Sequence, residues 1–473
     1  MSFALTIINK EVFSMYQLDF SKPIHVHFIG IGGISMSGLA EILLKEKFKI
    51  SGSDAKSSDI IDNLISMGAI VNIGQTAENI TDGIDLVVYT AAVHEDNPEY
   101  AECVRRNIPM LTRAQLLGQI MNNYKYSIAV SGTHGKTTTT SMLSQIFMEA
   151  DTNPTISVGG MLDSIGGNVR VGQSEYFVTE ACEYTNSYHA LFPYISIILN
   201  VDADHLDFFS GIDEIIESFH TFAANLPDNG HLIINGDMEC LDRVTRKLSC
   251  NIITFGMNES NTYYPADIEA DDKGHMNYTL MVKGEVRERI HLNIGGTHNV
   301  TNSLSAIAAA DILGIDHEYV LAGLASFGGA HRRFELKGTL GNVTVIDDYA
   351  HHPTEIKATL TTAAHTPHHE LWVVFQPHTY TRTKALFEEF ADALKGFDHV
   401  IIVDIYAARE KDTGLVHAKD LADRIKELGT DARYFSTFAA VENYLLKNCK
   451  KNDLLITMGA GDVYLIGEEM LGM

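Results

Sequence analysis

The segment that most constrains this chain is SGTHGKTTTT (residues 131–140), which follows an apolar stretch and opens a helical one. Gly132 and Gly135 allow the backbone to turn its N–H groups toward phosphate oxygens, and the start of the helix adds partial positive charge. Lys136 can then reach the β and γ phosphates of a nucleotide, and the Thr137 hydroxyl follows where it can join the ligands of Mg²⁺. The segment predicts a strand, a phosphate-binding loop and a helix. Val130 stands where the general pattern has its first glycine, so a purely structural turn is the alternative.

The order strand, polar turn, helix opens two more blocks of the chain. The first begins with an apolar run at residues 24–29, and the third has apolar runs at residues 343–346, 371–375, 399–404 and 454–457. Strands that alternate with helices are typical of parallel sheets, and 473 residues leave room for roughly three cores. We predict an α/β protein with a Rossmann-like domain (1–122), a central P-loop-type domain with a parallel sheet (123–330) and a second Rossmann-like domain (331–473). Residues 251–293 are expected to be antiparallel or irregular.

Charge and composition limit the class of partner. The formal net charge of -26 at pH 7 disfavours nucleic acids and anionic membranes. The five cysteines are odd in number and lack the paired spacing of zinc or disulfide sites. The apolar runs fall short of the roughly 20 residues that a membrane helix needs, and residues 1–20 lack the pattern of a secretion signal. We expect a cytoplasmic protein that neither binds nucleic acid nor inserts into a membrane.

Two side chains near later strand ends are candidate metal ligands. Glu180 closes the stretch YFVTE, and His205 lies in NVDADHLD (residues 200–207) after the stretch ISIILN. Ligands of open parallel sheets gather at the carboxyl ends of the strands, so both side chains are expected near the phosphate loop. Each alone is more often a solvated side chain; their shared placement favours a metal site.

The glycine turn of the first block leaves two interpretations open. Gly30 and Gly32 follow the first strand, and Asp54 lies where an acid could bind a ribose. Ser35 replaces the third glycine of a dinucleotide fingerprint, so the evidence for NAD is weak. A sugar nucleotide, with its pyrophosphate on the helix N-terminus, fits the same turn.

Several motifs in one order give the chain a resemblance to the Mur ligases. They are HFIGIGGISMSGLA, SGTHGKTTTT, NVDADHLD, GTHNVTN, GAHRRFE, DDYAHHPTE and FQPHTYTRT, and they span nearly all of the chain beyond residue 20. The resemblance implies an enzyme that uses ATP and Mg²⁺ to join L-alanine to the carboxylate of UDP-N-acetylmuramate through an acyl phosphate, as a monomer or homodimer. A relative that adds another amino acid or a peptide, an NAD-dependent oxidoreductase and a noncatalytic nucleotide-binding module remain the alternatives.

The resemblance also implies roles for individual residues. ATP would be held by Gly132, Thr133, Gly135, Lys136, Thr137, Thr138, Asn299, Asn302, Arg333 and Asp347. The UDP moiety would be held by Gly32, Gly33, Ser37, Gly38, Asp54, Thr90 and Ala91. Thr137, Glu180 and His205 would bind Mg²⁺, and Lys136, His351 and Arg382 would be catalytic, the last two beside the incoming amino acid.

The chain departs from the family's commoner pattern in three places. Cys182 and Tyr184 follow Glu180 where relatives often have an acid and a serine. Thr379 stands three residues before Arg382, where a second arginine is common, and Lys384 is a candidate replacement. The stretch between residues 205 and 235 has no lysine, so we predict no carbamylated lysine beside the metal.

Overall fold

The computed structural model describes residues 17–90, 92–206, 208–408 and 410–473. These residues form three β-sheets of five, ten and six strands that follow one another along the chain. Helices lie between the strands, so the predicted α/β fold with three units is confirmed. The domain boundaries at residues 122 and 330 stay predictions. Among the described helices, none combines the length and apolar composition that crossing a membrane requires.

The first sheet has the strand order β3-β2-β1-β4-β5, and every pair in it is parallel. These are the first five strands of the Rossmann order 3-2-1-4-5-6. The central strand β1 is buried along its whole length, as its apolar sequence predicts. The elements are β1 (His25–Ile29), α1 (Ile34–Lys45), β2 (Lys49–Asp54), α2 (Asp59–Ser66), β3 (Ile70–Ile73), a 3₁₀ turn (Ala77–Asn79), β4 (Leu86–Tyr89), α3 (Pro98–Arg106), β5 (Met110–Thr112) and α4 (Arg113–Met121).

The second sheet has the order β15-β14-β13-β12-β11-β10-β6-β9-β7-β8. Its centre is parallel, and β13, β14 and β15 form the antiparallel extension expected for residues 251–293, although β12 within that range pairs in parallel. The strands are β6 (Tyr126–Ser131), β7 (Thr155–Leu162), β8 (Gly167–Arg170), β9 (Tyr176–Glu180), β10 (Ile195–Ile198), β11 (His231–Asn235), β12 (Asn251–Phe255), β13 (Tyr263–Ala270), β14 (Met276–Val282) and β15 (Glu285–His291). The helices are α5 (Lys136–Glu149), α6 (Ile212–Ala223), α7 (Leu241–Thr245), α8 (Thr297–Ile312) and α9 (His317–Ser326), with 3₁₀ segments Asp163–Ile165 and Tyr184–Ala190.

The third sheet has the order β16-β17-β21-β18-β19-β20, parallel except for the edge strand β16. All four strands predicted in this part of the chain are present. The elements are β16 (Glu335–Leu340), β17 (Val343–Asp348), α10 (Pro353–Ala364), β18 (Leu371–Phe375), α11 (Tyr380–Ala385), α12 (Phe387–Leu394), β19 (His399–Ile402), α13 (Ala418–Glu427), β20 (Asp431–Tyr434), α14 (Phe438–Asn448), β21 (Leu454–Met458) and α15 (Tyr464–Leu471).

Apolar packing joins the first two units but not the third. One buried cluster contains residues of the first sheet and of the central unit, whereas the two clusters of the third unit draw only on residues after 333 among those described. The third unit therefore meets the central one chiefly through the polar side chains around the candidate site. Because β10, β6 and β9 are neighbours, the loops that follow them lie together at the carboxyl edge of the central sheet.

Candidate active site

The phosphate loop connects β6 to α5 at the carboxyl edge of the central sheet. Gly132 and Gly135 have φ of +142° and +85°, in the region that favours glycine. A Cβ on Gly135 would lie 2.8 Å from the Asn302 side-chain oxygen, so the turn has no room for a larger residue. The N–H groups of Thr133 and His134 donate to the backbone and side-chain oxygens of Asn200, at 3.2 and 2.7 Å, which fixes the loop against the segment after β10.

Lys136 is folded back over this loop. Its Nζ donates to the carbonyl oxygens of Gly132 and Thr133, at 2.6 and 3.1 Å, and to Glu183 Oε2 at 2.9 Å. Burial alone would raise the pKa of Glu183 and lower that of Lys136, but their mutual attraction, together with neighbouring charges and hydrogen bonds, outweighs burial, so the pKa of Glu183 is lowered, that of Lys136 is raised and both groups stay ionised. Glu183 is thus the counterion of the lysine, a role that the sequence analysis did not assign.

Thr137 and Glu180 lie on either side of a glycine pair in β7. Glu180 Oε1 accepts a hydrogen bond of 2.7 Å from the Gly159 N–H, and a Cβ on Gly159 would come within 2.8 Å of the same carboxylate. A Cβ on Gly160 would lie 3.5 Å from the Thr137 methyl group. Gly159 therefore leaves room for the Glu180 carboxylate, and this carboxylate and the Thr137 hydroxyl are oxygen ligands of the kind that Mg²⁺ takes.

His205, the third predicted metal ligand, approaches Glu183 rather than Glu180. Its Nε2 lies 3.6 Å from Glu183 Oε1. Among the described residues, the one close group of three His, Cys, Asp or Glu ligands is His369, Glu370 and Asp453, at the amino edge of the third sheet, so the predicted site around Thr137 is an open one with few protein ligands. An open set still fits Mg²⁺, which usually keeps several waters and binds through substrate phosphates.

A cavity of about 490 Å³ lies between the central and third units, within the range of small-ligand sites. Asn302 Nδ2 donates to Asn299 Oδ1 at 3.1 Å, so the two predicted asparagines form one polar wall. The predicted residues that line this cavity are Gly135, Thr138, Asn299, Asn302 and Arg333. The structure thus brings the loop, the asparagine pair and the arginine of the third unit to one chamber.

Asp347 does not line this cavity, whereas its neighbour Asp348 does. The Asp347 carboxylate accepts hydrogen bonds of 2.8 Å from Arg332 Nε and from the Thr457 hydroxyl. Successive side chains of a strand point to opposite faces, so only one of the two aspartates can face the nucleotide. Burial raises the pKa of Asp348 to about 6. The expectation that Asp347 meets the nucleotide therefore passes to Asp348.

A second cavity, of about 460 Å³, has His205 in its wall. The predicted residues His351 and Arg382 line it, with Asp204, His205, Thr379 and Lys384. Arg382 donates to Asp204 Oδ1 at 2.8 Å, a contact between the third and central units. Burial alone would raise the pKa of Asp204, but the guanidinium holds it below the ordinary range of a carboxyl.

In the first unit, three loops meet around Gly32. The Gly32 N–H donates to Asp54 Oδ2 at 2.9 Å, so the predicted ribose acid braces the glycine turn. A Cβ on Gly30 would lie 2.9 Å from the Thr90 methyl group, which places the loop after β4 against the same turn. Ala91, also predicted to bind the UDP moiety, lies outside the described residues.

The remaining predicted sugar-nucleotide residues lie at the start of α1. Gly33 is the N-cap of this helix, and the Ser37 hydroxyl donates to the Ile34 carbonyl at 2.9 Å. Gly38 faces the central unit, where an added Cβ would come within 2.3 Å of Val169 in β8. Its glycine is therefore explained by close packing between two units.

Sequence reasoning missed several charged residues of the site, although all lie in or beside the motifs already quoted. Glu183 lies three residues after Glu180, Asp204 directly precedes His205, and Glu355 ends DDYAHHPTE. Acids within such motifs are a usable signal, but their partners come from distant parts of the chain. His134 is a further example, since its ring lies 3.3 Å from Glu355 of the third unit.

Models of one protein family match most of the chain. They are the Mur ligase family catalytic domain at residues 25–125, the Mur ligase middle domain at residues 130–310 and the Mur ligase glutamate ligase domain at residues 332–461.

Full-length relatives agree with these matches. The chain is 57% identical to the UDP-N-acetylmuramate--L-alanine ligase of Lachnospira eligens, over 97% of this chain and 100% of that one. It is 56% identical to the enzyme of the same name from Agathobacter rectalis, with the same coverage. The crystal structure of UDP-N-acetylmuramate-alanine ligase from Thermotoga maritima superposes with a TM-score of 0.78 at 29% identity, covering 95% of this chain and 98% of that one. The phosphate loop, the asparagine pair and the arginine of the third unit lie in one site, and the family models and full-length relatives match nearly the whole chain. The chain therefore belongs to the Mur ligase family.

Proposed function

We propose that this protein joins L-alanine to the carboxylate of UDP-N-acetylmuramate, with ATP converted to ADP and phosphate. The observation that carries the proposal is a series of contacts that runs from the phosphate loop to the second cavity. Lys136 pairs with Glu183 at 2.9 Å, Glu183 lies 3.6 Å from His205, and Asp204 pairs with Arg382 at 2.8 Å. Phosphate chemistry and an amino-acid pocket thus share one wall, as the reaction requires, and relatives more than half identical to the chain carry this name.

In the first step, an oxygen of the sugar carboxylate attacks the γ-phosphorus of ATP. The bond between that phosphorus and the β–γ bridging oxygen breaks, which leaves an acyl phosphate and ADP. Lys136 leaves Glu183 to stabilise the negative charge on the phosphoryl oxygens. Mg²⁺, held by Thr137, Glu180 and His205, would supply further neutralisation of that charge.

In the second step, the neutral amine of L-alanine attacks the acyl carbon. In the tetrahedral intermediate the nitrogen carries two protons and a positive charge; it releases one proton to water, and the intermediate expels phosphate to give the amide. Arg382 suits the amino-acid carboxylate because its planar fork can bind both oxygens. Burial lowers the pKa of His351 to about 4, so at neutral pH the ring is an uncharged hydrogen-bond acceptor for the amine rather than a strong base.

Phosphate release tests the assignment. The protein is incubated with UDP-N-acetylmuramate, ATP and Mg²⁺, and each amino acid is added in turn, with Lys136→Ala as the inactive control. We expect release with L-alanine well above the rate without amine. Release only with a different amino acid or a peptide would assign the chain to another branch of the family. ATP binding without release for any amine would favour a nucleotide-binding module, and binding of NAD would revive the oxidoreductase interpretation.

The location follows from the proposed reaction. Its ATP, and the reduced state that suits the free cysteines found among the described residues, point to the cytoplasm.

A further inference from the structure

Glu355 lines the first cavity and also contacts His351, which lines the second, and its two carboxylate oxygens have different partners. Oε1 lies 3.3 Å from His134 Nδ1 and 3.6 Å from an Arg333 nitrogen, on the nucleotide side. Oε2 accepts a hydrogen bond of 3.0 Å from the backbone N–H of His351, on the amino-acid side. The side chain is 12% exposed, in the first turn of α10, where Pro353 begins the helix. One rigidly held carboxylate thus contacts both halves of the site.

On the amino-acid side, Glu355 helps to fix which nitrogen of His351 carries the proton. His351 Nδ1 lies 3.0 Å from the Tyr349 carbonyl oxygen and 3.3 Å from Glu355 Oε2. Both oxygens only accept, so Nδ1 of the neutral ring must be the donor. Nε2 then carries the lone pair. Since His351 lines the second cavity, this nitrogen is the one available to an incoming amine.

On the nucleotide side, Glu355 ties the third unit to the phosphate loop. His134 belongs to that loop, and its Nε2 lies 3.2 Å from Asp202 of the central unit. Burial would lower the pKa of His134, but Asp202 and Glu355 raise it to about 9, so the ring is cationic at neutral pH. The other titratable groups around this contact are Arg333, His351, His352 with its ring centroid 5.1 Å from that of His134, His298 and Asp348. The pair of His134 and Glu355 is therefore a partly buried ion pair between two units.

We propose that Glu355 is a positioning residue that makes the amino-acid pocket depend on the docking of the third unit onto the phosphate loop. When His134 holds Glu355, the carboxylate orients His351 with Nε2 toward the amine. When the third unit moves away, Glu355 loses its partner in the central unit and His351 loses its fixed orientation. The inference rests on the proposed function for its kinetic consequence, but not for the docking itself.

The kinetic test compares Glu355→Gln with His134→Gln, which break the same contact from opposite units. His134 lines the nucleotide cavity and not the amino-acid cavity. We nevertheless expect both variants to raise the KM for L-alanine by about 10- to 100-fold, because a small misplacement of a reacting group has effects of that order. The affinity for a nonhydrolysable ATP analogue should change less than about threefold in Glu355→Gln. Lys357→Gln, an exposed site on the same helix, is the matched control and should behave as the parent.

The double variant distinguishes coupling from two separate defects. If the two residues act through one contact, the double variant should be no more than about threefold worse than the poorer single variant. Effects that multiply, or an equal loss of ATP affinity in Glu355→Gln, would overturn the proposal, because they would indicate independent or merely structural roles.

Small-angle scattering tests the docking without any turnover. Glu355→Gln and His134→Gln should have a larger radius of gyration than the parent and Lys357→Gln, with unchanged circular dichroism. Equal radii would refute the docking role even if the variants were inactive. If the parent releases no phosphate with any amine, the proposed function fails, and the scattering result alone decides the role of the contact.

Discussion

Replacement of Lys136 by alanine should separate two effects that the structure combines in one side chain. Among the described contacts, Lys136 Nζ is the one ammonium or guanidinium nitrogen within 3 Å of the Glu183 carboxylate. The Glu183 side chain is 3% exposed. A buried carboxylate left without its partner costs roughly 3–5 kcal/mol of folding stability. The loss of one preorganised donor at a reacting phosphoryl group lowers kcat by about 10²- to 10³-fold.

A second substitution tells the two effects apart. In Lys136→Ala/Glu183→Gln the uncompensated charge is gone, so most of the lost stability should return, as measured by urea unfolding. The rate of phosphate release should stay low, because a glutamine cannot replace the ammonium. Lys125→Ala, at an exposed lysine beside β6, controls for a simple loss of positive charge. A folded Lys136→Ala protein that worked at the parental rate would refute the assigned role of the loop.

Three further outcomes are expected from contacts between the units. The pKa of His134 is raised to about 9, so its contribution to the free energy of unfolding is full below about pH 6.5 and is lost as the pH rises through about 9. The difference in stability between the parent and His134→Gln, measured by urea unfolding, should therefore shrink over that pH range, and a difference that grows would contradict the assignment. Gly38→Ala places a methyl group about 2.3 Å from Val169, so it should lower the free energy of unfolding by about 1–3 kcal/mol and weaken sugar-nucleotide binding. Gly38→Ala/Val169→Ala should recover part of both losses, and a Gly38→Ala protein that behaves as the parent would contradict the prediction. Arg382→Lys keeps a positive charge that can pair with Asp204 but loses the planar fork proposed to bind the amino-acid carboxylate. The KM for the amino acid should therefore rise about tenfold while ATP affinity holds, and an unchanged KM would count against a carboxylate contact.

The parts of the site that the sequence predicted are those encoded within one short segment. The loop around Lys136 follows from glycine spacing and a strand-to-helix order, and the structure has both in place. The direction of a side chain is harder to predict at the end of a strand. Asp347 and Asp348 show why, since a shift of one position moves a side chain from the face that lines the cavity to the opposite, buried face. The role predicted for Gly38 stays a prediction, because glycine requirements from substrate and from packing look alike in sequence and the close approach of Val169 would by itself require a glycine.

Pairs that cross between units could not be found in this way. His134 and Glu355 are more than 200 positions apart, and their contact depends on how the third unit sits on the central sheet. Arg382 and Asp204 present the same difficulty. Hydrophobic periodicity gives the elements of each unit, but it carries no information on the orientation of one unit against another.

The ion pair between Lys136 and Glu183 affects which anions can bind to the loop. Since Lys136 already has Glu183 and two carbonyl oxygens as partners, inorganic phosphate or sulfate would have to displace a carboxylate to bind there. Small monovalent and divalent anions should therefore be weak competitors, while a metal-bound triphosphate with contacts along the whole chamber can draw the ammonium away. Without bound nucleotide, the loop is therefore expected to bind inorganic phosphate, a product of the proposed reaction, only weakly.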